Sequence, residues 1–495
     1  MDSLGRAQVP RHRPLRVVQI LQCLSRGGAS RATLHAARES RRRGPFEHHI
    51  VSLTAPDRTA MDRARNAGIS VSSRSDDKAL AQTLAEADIV QVNFWNSPEL
   101  YDFARRPWPA MRLLLWVHVV GDATPHVLTP QWVDFADLVV AGCPRTTQLP
   151  VLTAPSTSET PTAMVWPGAD FRRLAGLRSK RTETFRVGYI GAVDHAKIHP
   201  RFVELHNRAR IQPARFIVCG VGDARAPMQA EAASSPGGDR FDWRGYVEDI
   251  AGVLETLDVF GYPLCAGTYA SAEVVLQEAM FAGVPPVLFP RGGIGDVVQH
   301  GETGLVVEND DDYVAALEFL ARHPDERDRL GANARDHARR HFGAERTAEG
   351  LNAAYEQLAQ RPKRERAWPS APTASAHSPG ATLFLESLGG FADAFEAALS
   401  GRSGEQIRAG ERAIRKAPAV VTTPSGGGLL HYRSAFRDDP HLRLWAGLVL
   451  LEAGRPALAL GEFAAADRLG LPPERTAAYR DEATQALRTS RGEPG

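Results

Sequence analysis

The sequence predicts an α/β chain: two doubly wound, Rossmann-like domains followed by an all-α segment. Three observations carry this reading. Short apolar, β-branched runs alternate with helical stretches from residue 16 to residue 141, which implies a parallel sheet wrapped on both faces. A second series opens at FRVGYIGA (185–192), after an irregular Thr/Pro/Ser-rich stretch at 153–162. Beyond RPKRERAWPSAPTASAHSPG (361–380), which has the composition of a linker, the chain becomes Ala/Leu/Arg-rich and helical in pattern. The resulting boundaries are 1–171, 172–360, a 361–380 linker and a 381–495 helical appendage.

In the first domain, RVVQIL (16–21) reads as a strand, and Gly27-Gly28-Ala29 opens a helix running from about Ser30 to Arg43. A strand, a Gly pair and a helix N-terminus make a geometry that accepts phosphate, because free N–H groups and the helix dipole face an anion able to approach a residue without Cβ. A plain turn is the competing reading. Arg38, Arg41, Arg42 and Arg43 close that helix, either as favourable C-terminal charge or as an attraction for anionic lipid. Further strands are expected at 49–53, 69–72, 88–92 and 113–117, with 137–141 as the last of this half. Ligands of such sheets bind at the carboxyl ends of the strands, and His118 stands on that edge. A histidine there donates to a sugar hydroxyl or carries a proton, or is structural. Asn93, Phe94 and Trp95 border the same edge, as pocket or as packing.

The second domain runs from the 185–192 strand into the loop DHAKIH (194–199), then to strands at 216–219 and 257–263. In GTYASAEVVLQEAMFAGVPP (267–286), only Gln277 and Glu278 are polar between Val274 and Val284, so a buried helix ends at Gly283 and Pro285. Glu278 lies on its apolar side, where a carboxylate needs donors; a ligand's hydroxyls or a salt bridge would serve. A strand at 284–289 and the turn RGGIGD (291–296) come next. Asn309-Asp-Asp-Asp312 is expected to cap the helix after it rather than to hold a metal.

This order of helix, Gly-Val-Pro, strand, Gly-Gly turn and HGETGLVV (300–307) resembles the donor-binding half of retaining glycosyltransferases of the GT-B fold, family 4 (glycosyl transferases group 1). The resemblance covers about residues 16–358. It implies two lobes facing a cleft and a hexosyltransferase that moves a sugar from a nucleoside-diphosphate sugar, with retention, no metal and no other cofactor. On it, Glu278 falls where the family binds the ribose, Gly191 and Lys197 match the loop that meets the diphosphate, and Tyr246 and Val247 stand beside the base. Gly27 and Gly28 match a Gly pair near the diphosphate, and His118 a residue that faces the donor sugar. His118 and Lys197 are thus the expected catalytic pair; Gly27, Gly28, Gly191, Lys197, Tyr246, Val247, Glu273 and Glu278 are the expected donor-binding set. The chain departs from the pattern twice, with Ala270 where the family has a first Glu and Ala192 where it has an Arg. Glu273 is the nearest carboxylate able to replace the former.

The acceptor reads as a glycan, a lipid-linked molecule or a small molecule. The alternative function is a catalytically degenerate body that binds a sugar nucleotide or glycan, or scaffolds partners through the helical tail. Within that tail, residues 445–466 resemble one tetratricopeptide unit, which needs neighbours to bury its faces.

Composition sets the outer bounds. Of 495 residues, 59 Lys and Arg face 58 Asp and Glu, a net charge of +1 that gives no argument for a nucleic-acid partner, and none is expected. No apolar run approaches the roughly 20 residues a membrane helix needs. The first 16 residues lack the apolar segment of a secretory signal, and Cys23, Cys143, Cys219 and Cys265 are too scattered for a zinc or disulfide framework. A cytoplasmic protein, with contact at the inner face of the membrane as a further option, is expected.

Overall fold

The computed structural model describes residues 13–74, 76–154, 159–180, 182–369, 378–424 and 426–490. Residues 1–12 of the basic N-terminus and 370–377 of the Pro/Ser-rich stretch lie outside these.

The first lobe takes the strands β1 (Leu15–Leu21), β2 (Phe46–Ser52), β3 (Ser70–Ser73), β4 (Ile89–Phe94), β5 (Leu113–Val117), β6 (Leu138–Ala141) and β7 (Thr162–Met164) into one parallel sheet of order β3-β2-β1-β4-β5-β6-β7. Strands covered on both faces carry near-continuous apolar runs, and β4 and β5 are buried along their whole length. The sequence pattern ends this sheet at residue 141. The added β7 pairs with β6, but its three half-exposed residues, TAM, offer no apolar run to mark it.

The second lobe repeats the plan with β8 (Phe185–Ile190), β9 (Ala214–Cys219), β10 (Phe241–Gly245), β11 (Val259–Tyr262), β12 (Pro286–Leu288) and β13 (Leu305–Val306), ordered β10-β9-β8-β11-β12-β13. Both sheets reverse direction once, between β1 and β4 and between β8 and β11. Such switch points open a crevice at the carboxyl ends of the strands.

Two helices border the cleft, α1 (Gly28–Arg43) and α2 (Val274–Phe281), while α3 (Asp310–Arg322) packs on the second sheet and α4 (Ala344–Ala359) returns to the first lobe. The helix α2 is apolar almost throughout and ends where Gly283 takes a left-handed φ of 79°. The Asp cluster caps α3 as expected: Asn309 Oδ1 accepts from the Asp312 amide at 3.0 Å. The main chain passes between the lobes near residue 168 and returns near residue 343. There the Ala344 amide donates to the Ala169 carbonyl at 2.8 Å, and a Cβ on Gly168 would overlap the backbone of Gly343. After returning, α4 packs on α1 and on the first sheet, where Tyr355 donates to Gln91.

Residues 361–369, of linker composition, are fastened rather than loose. The Arg364 and Met111 backbones bridge, Arg366 pairs with Asp137 at 2% side-chain exposure, and Trp368 stacks edge-on to Trp132 at 4.8 Å. The tail then forms α5 (Pro379–Leu388), α6 (Asp393–Ser400), α7 (Gly404–Arg415), α8 (Leu429–Ala435), α9 (Pro440–Glu452), α10 (Pro456–Arg468) and α11 (Pro473–Ser490). The helices α9 and α10 pack closely where Gly447 meets Phe463: a Cβ at 447 would overlap the ring. The tail shares one apolar core with the first lobe, and Tyr432 donates to Asn96 Oδ1 at 2.9 Å. No helix among the described residues is long and apolar enough to cross a membrane.

Candidate active site

The loops leaving the two switch points meet around one cavity of about 570 Å³ between the lobes. The first lobe contributes Gly27, Gly28 and His118, and the second contributes Gly191, Lys197, Tyr246, Val247 and Glu273. The structure therefore gathers eight of the nine expected residues in one place. Glu278 is the exception.

Gly28 is the first residue of α1. A Cβ there would meet nothing within 4 Å, so the loop presents bare backbone to the cavity. The first turn of α1 carries no acidic residue, leaving its amino end electropositive.

His118 comes directly after β5, and its Nε2 lies 2.9 Å from Asn93 Oδ1. That oxygen also accepts from Thr33 Oγ1 at 2.9 Å and from Gln91 Nε2 at 3.0 Å, which makes it an acceptor to the imidazole and puts the proton on Nε2. The other ring nitrogen, Nδ1, is buried without a partner. Burial holds the histidine down to about 3, so it is neutral at physiological pH. The proton carrier or hydroxyl donor expected from the sequence is thus a hydrogen-bond acceptor in this geometry.

Lys197 Nζ donates to Glu273 Oε2 at 2.8 Å, and the Tyr262 hydroxyl donates to the same oxygen at 2.8 Å. Glu273 precedes α2 with φ of 40°, the one positive φ at a non-glycine position among the described residues. Strain of this kind persists where contacts over-determine a functional loop. Across the cavity the Tyr246 ring lies 4.3 Å under the Arg26 guanidinium, beside an apolar wall of Val221, Val247 and Ile250.

Glu278 is fully buried and does not reach the cavity wall. Its Oε1 accepts from both Arg31 and Arg173, which stand on the wall in front of it, while Oε2 has no partner. An ionised carboxylate at zero exposure demands strong donors, and the two guanidinium groups meet that demand. Its polar neighbour Gln277 fastens α2 to the inter-lobe connection by donating to the Pro167 carbonyl at 2.8 Å. The two departures, Ala192 and Ala270, both sit on the cavity wall.

The basic end of α1 is used within the fold. Arg38 pairs with Asp170 at 2.8 Å, Arg41 donates to the Gly68 carbonyl at 2.5 Å, Arg42 faces Glu39 at 3.6 Å and Arg43 pairs with Glu349 at 2.9 Å. Sequence reasoning misses Arg26, Arg31, Arg63, Arg173 and Tyr269 on the wall. For Arg31 a signal exists: it lies three residues past Gly28, in the turn that faces the cleft.

Residues 177–337 match the family model described as Glycosyl transferases group 1. The D-inositol 3-phosphate glycosyltransferase of Corynebacterium jeikeium is 24% identical over 312 residues, which is 55% of this chain and 72% of that one. The Rhodococcus erythropolis protein of the same name is 34% identical over 114 residues, 23% of this chain and 25% of its own length; spore coat protein SA of Bacillus subtilis is 33% identical over 113 residues, 22% and 29%. Over the latter two, the chain therefore spans less than a third of the relative. Among solved structures, Anabaena Alr3699/HepE in complex with UDP and glucose superimposes with a TM-score of 0.57 at 16% identity, over 69% of this chain and all of that one. A glycosyltransferase from Rickettsia africae gives 0.59 at 14% identity, over 70% and 99%. The two lobes form the GT-B fold, with a helical segment added at the C-terminal end.

Proposed function

We propose that this chain, whose second lobe carries a group 1 glycosyl transferase domain, moves a hexose from a nucleoside-diphosphate sugar to a hydroxyl acceptor, with retention and without a metal. One observation carries the reading: a Gly-Gly helix start, a buried neutral histidine and a lysine–carboxylate pair, from two lobes, line the same cavity. That cavity has the parts the reaction needs. Tyr246, Val247 and Ile250 offer an aromatic and apolar seat for a base. The amino end of α1 and Lys197 face the diphosphate and stabilise the negative charge that grows on it as the bond to the sugar breaks. His118 borders the cavity at the end of β5, and Glu278 serves the site from behind the wall through the two arginines it holds there. The HepE complexes with UDP and with UDP-glucose support a uridine donor, and the inositol phosphate in the relatives' name supports a small polyol among the acceptors.

Binding without turnover is favoured by Ala192 and Ala270, which put methyl groups where the resemblance implies an Arg and a Glu. The test is release of nucleoside diphosphate from UDP-, GDP- and ADP-hexoses by the parent and by a Lys197→Ala, Glu278→Ala double variant. Release by the parent, lost in the variant, is the expected result. Binding without release by the parent selects the second reading, and no binding of any donor overturns both.

A further inference from the structure

Five cationic side chains line the cavity: Arg26, Arg31, Arg63, Arg173 and Lys197. Three have a carboxylate each. Arg26 faces Asp57 at 3.4 Å, Arg63 pairs with Glu248, and Lys197 pairs with Glu273 at 2.8 Å. The other two share a single oxygen, Glu278 Oε1, and so leave one positive charge in excess on a wall where their side chains are only 18% and 33% exposed. This excess lies beside the amino end of α1, since the Arg31 amide donates to the Gly27 carbonyl at 3.0 Å. His35, one turn further along α1, senses the same field: burial first, then Arg31, Arg38, Arg173 and Arg63, hold it well below its ordinary pKa. Two guanidinium groups held side by side on a fixed counter-charge have N–H forks to spare, and the anion that matches such forks is a phosphate.

We propose that Arg31 and Arg173 form a phosphate-binding pair in the cleft, with Glu278 as the residue that positions them. The proposal rests on the cleft being a nucleoside-diphosphate-sugar site. It assigns the cation missing at Ala192 to side chains from the first lobe and from the inter-lobe connection. The phosphate comes either from the donor's diphosphate or from a phosphorylated acceptor, and both sources offer the same oxygens.

Calorimetry on the full chain separates the cases, using UDP, uridine and inorganic phosphate as probes with the parent, Arg31→Gln and Arg173→Gln. Each single variant leaves the other arginine on Glu278. If the donor supplies the phosphate, each variant weakens UDP by about ten- to hundredfold, the value of a hydrogen-bonded charge, and leaves uridine unchanged. Adding Ala192→Arg to Arg31→Gln then recovers about tenfold; loss of UDP binding with no recovery marks a folding defect and overturns the donor assignment. If the acceptor supplies it, UDP affinity holds, while binding of inorganic phosphate to the UDP-saturated parent is lost in the variants. UDP affinity within twofold of the parent, with no phosphate binding to lose, overturns the pair. A parent that binds none of UDP, GDP or ADP overturns the underlying reading instead.

Discussion

Replacing Lys197 by Met strands a carboxylate. The two side chains of the Lys197–Glu273 pair are 11% and 14% exposed and meet at 2.8 Å, so removing the lysine leaves Glu273 with the Tyr262 hydroxyl as its remaining donor. Breaking a pair this deep costs about 3–5 kcal/mol, because the unpaired charge keeps its desolvation penalty. At about 2–4 °C per kcal/mol for a lobe of this size class, the transition falls by roughly 6–20 °C. A second change, Glu273→Gln, removes the stranded charge while still accepting from Tyr262, and recovers the stability to within about 1 kcal/mol. Turnover behaves differently, since both variants lack the cation assigned to the departing diphosphate. Thermal denaturation and release of UDP from a UDP-hexose, measured on parent, single and double variants, give the two readouts. A double variant that melts as low as Lys197→Met shows that the pair is not the source of the loss. One that regains turnover shows that Lys197 does not serve the leaving group.

Burial and packing set two further outcomes. Burial holds His48, His118 and His126 down to about 3, so each stays neutral in the fold while the unfolded chain takes up a proton below 6.5. Their contribution is complete above pH 6.5 and drains as pH falls from there toward 3, at about 1.4 kcal/mol per pH unit for each group. Melting temperatures recorded between pH 7 and 5 should fall less steeply in His48→Gln, and an unchanged slope refutes the assignment. Gly447→Val drives α9 from Phe463 of α10 at a cost of about 1–3 kcal/mol. Faster proteolysis of the tail with unchanged UDP affinity is expected; equal cleavage rates count against the close packing described.

What the sequence reveals depends on local signals. Most of the central strands, the capped α3 and the end of α2 at Gly283 announce themselves through apolar runs, caps and glycines, and the structure places them within a few residues of the expected bounds. The edge strand β7 has no such run, and it escapes a reading of the sequence together with β10 and the two-residue β13. In the candidate site, Gly28 and His118 are legible from a glycine turn and a strand end of a doubly wound sheet, whereas Lys197 and Glu273 are legible only through the family resemblance. Glu278 reads as a residue awaiting donors, but the sequence does not say which donors come. Arg31 and Arg173 lie 247 and 105 residues away from it, and an arginine bound for a cleft looks like any solvated arginine until the chain has folded. The same blindness applies to the basic end of α1, whose charges find partners on the connection and on α4.

The two backbone passages near Gly168 and Gly343 run so close together that a Cβ on Gly168 would overlap the Gly343 backbone, while Gly343 itself takes a positive φ of 103°. They form one double crossing, fastened by the Ala344 amide on the Ala169 carbonyl at 2.8 Å. The helix α4 and the tail both pack on the first lobe, while the second lobe meets it again across the cleft, where Ser271 Oγ donates to the His118 carbonyl at 2.7 Å. Anything that grips the tail therefore takes hold of the first lobe, next to Trp95 and Asn96 on the carboxyl edge of its sheet.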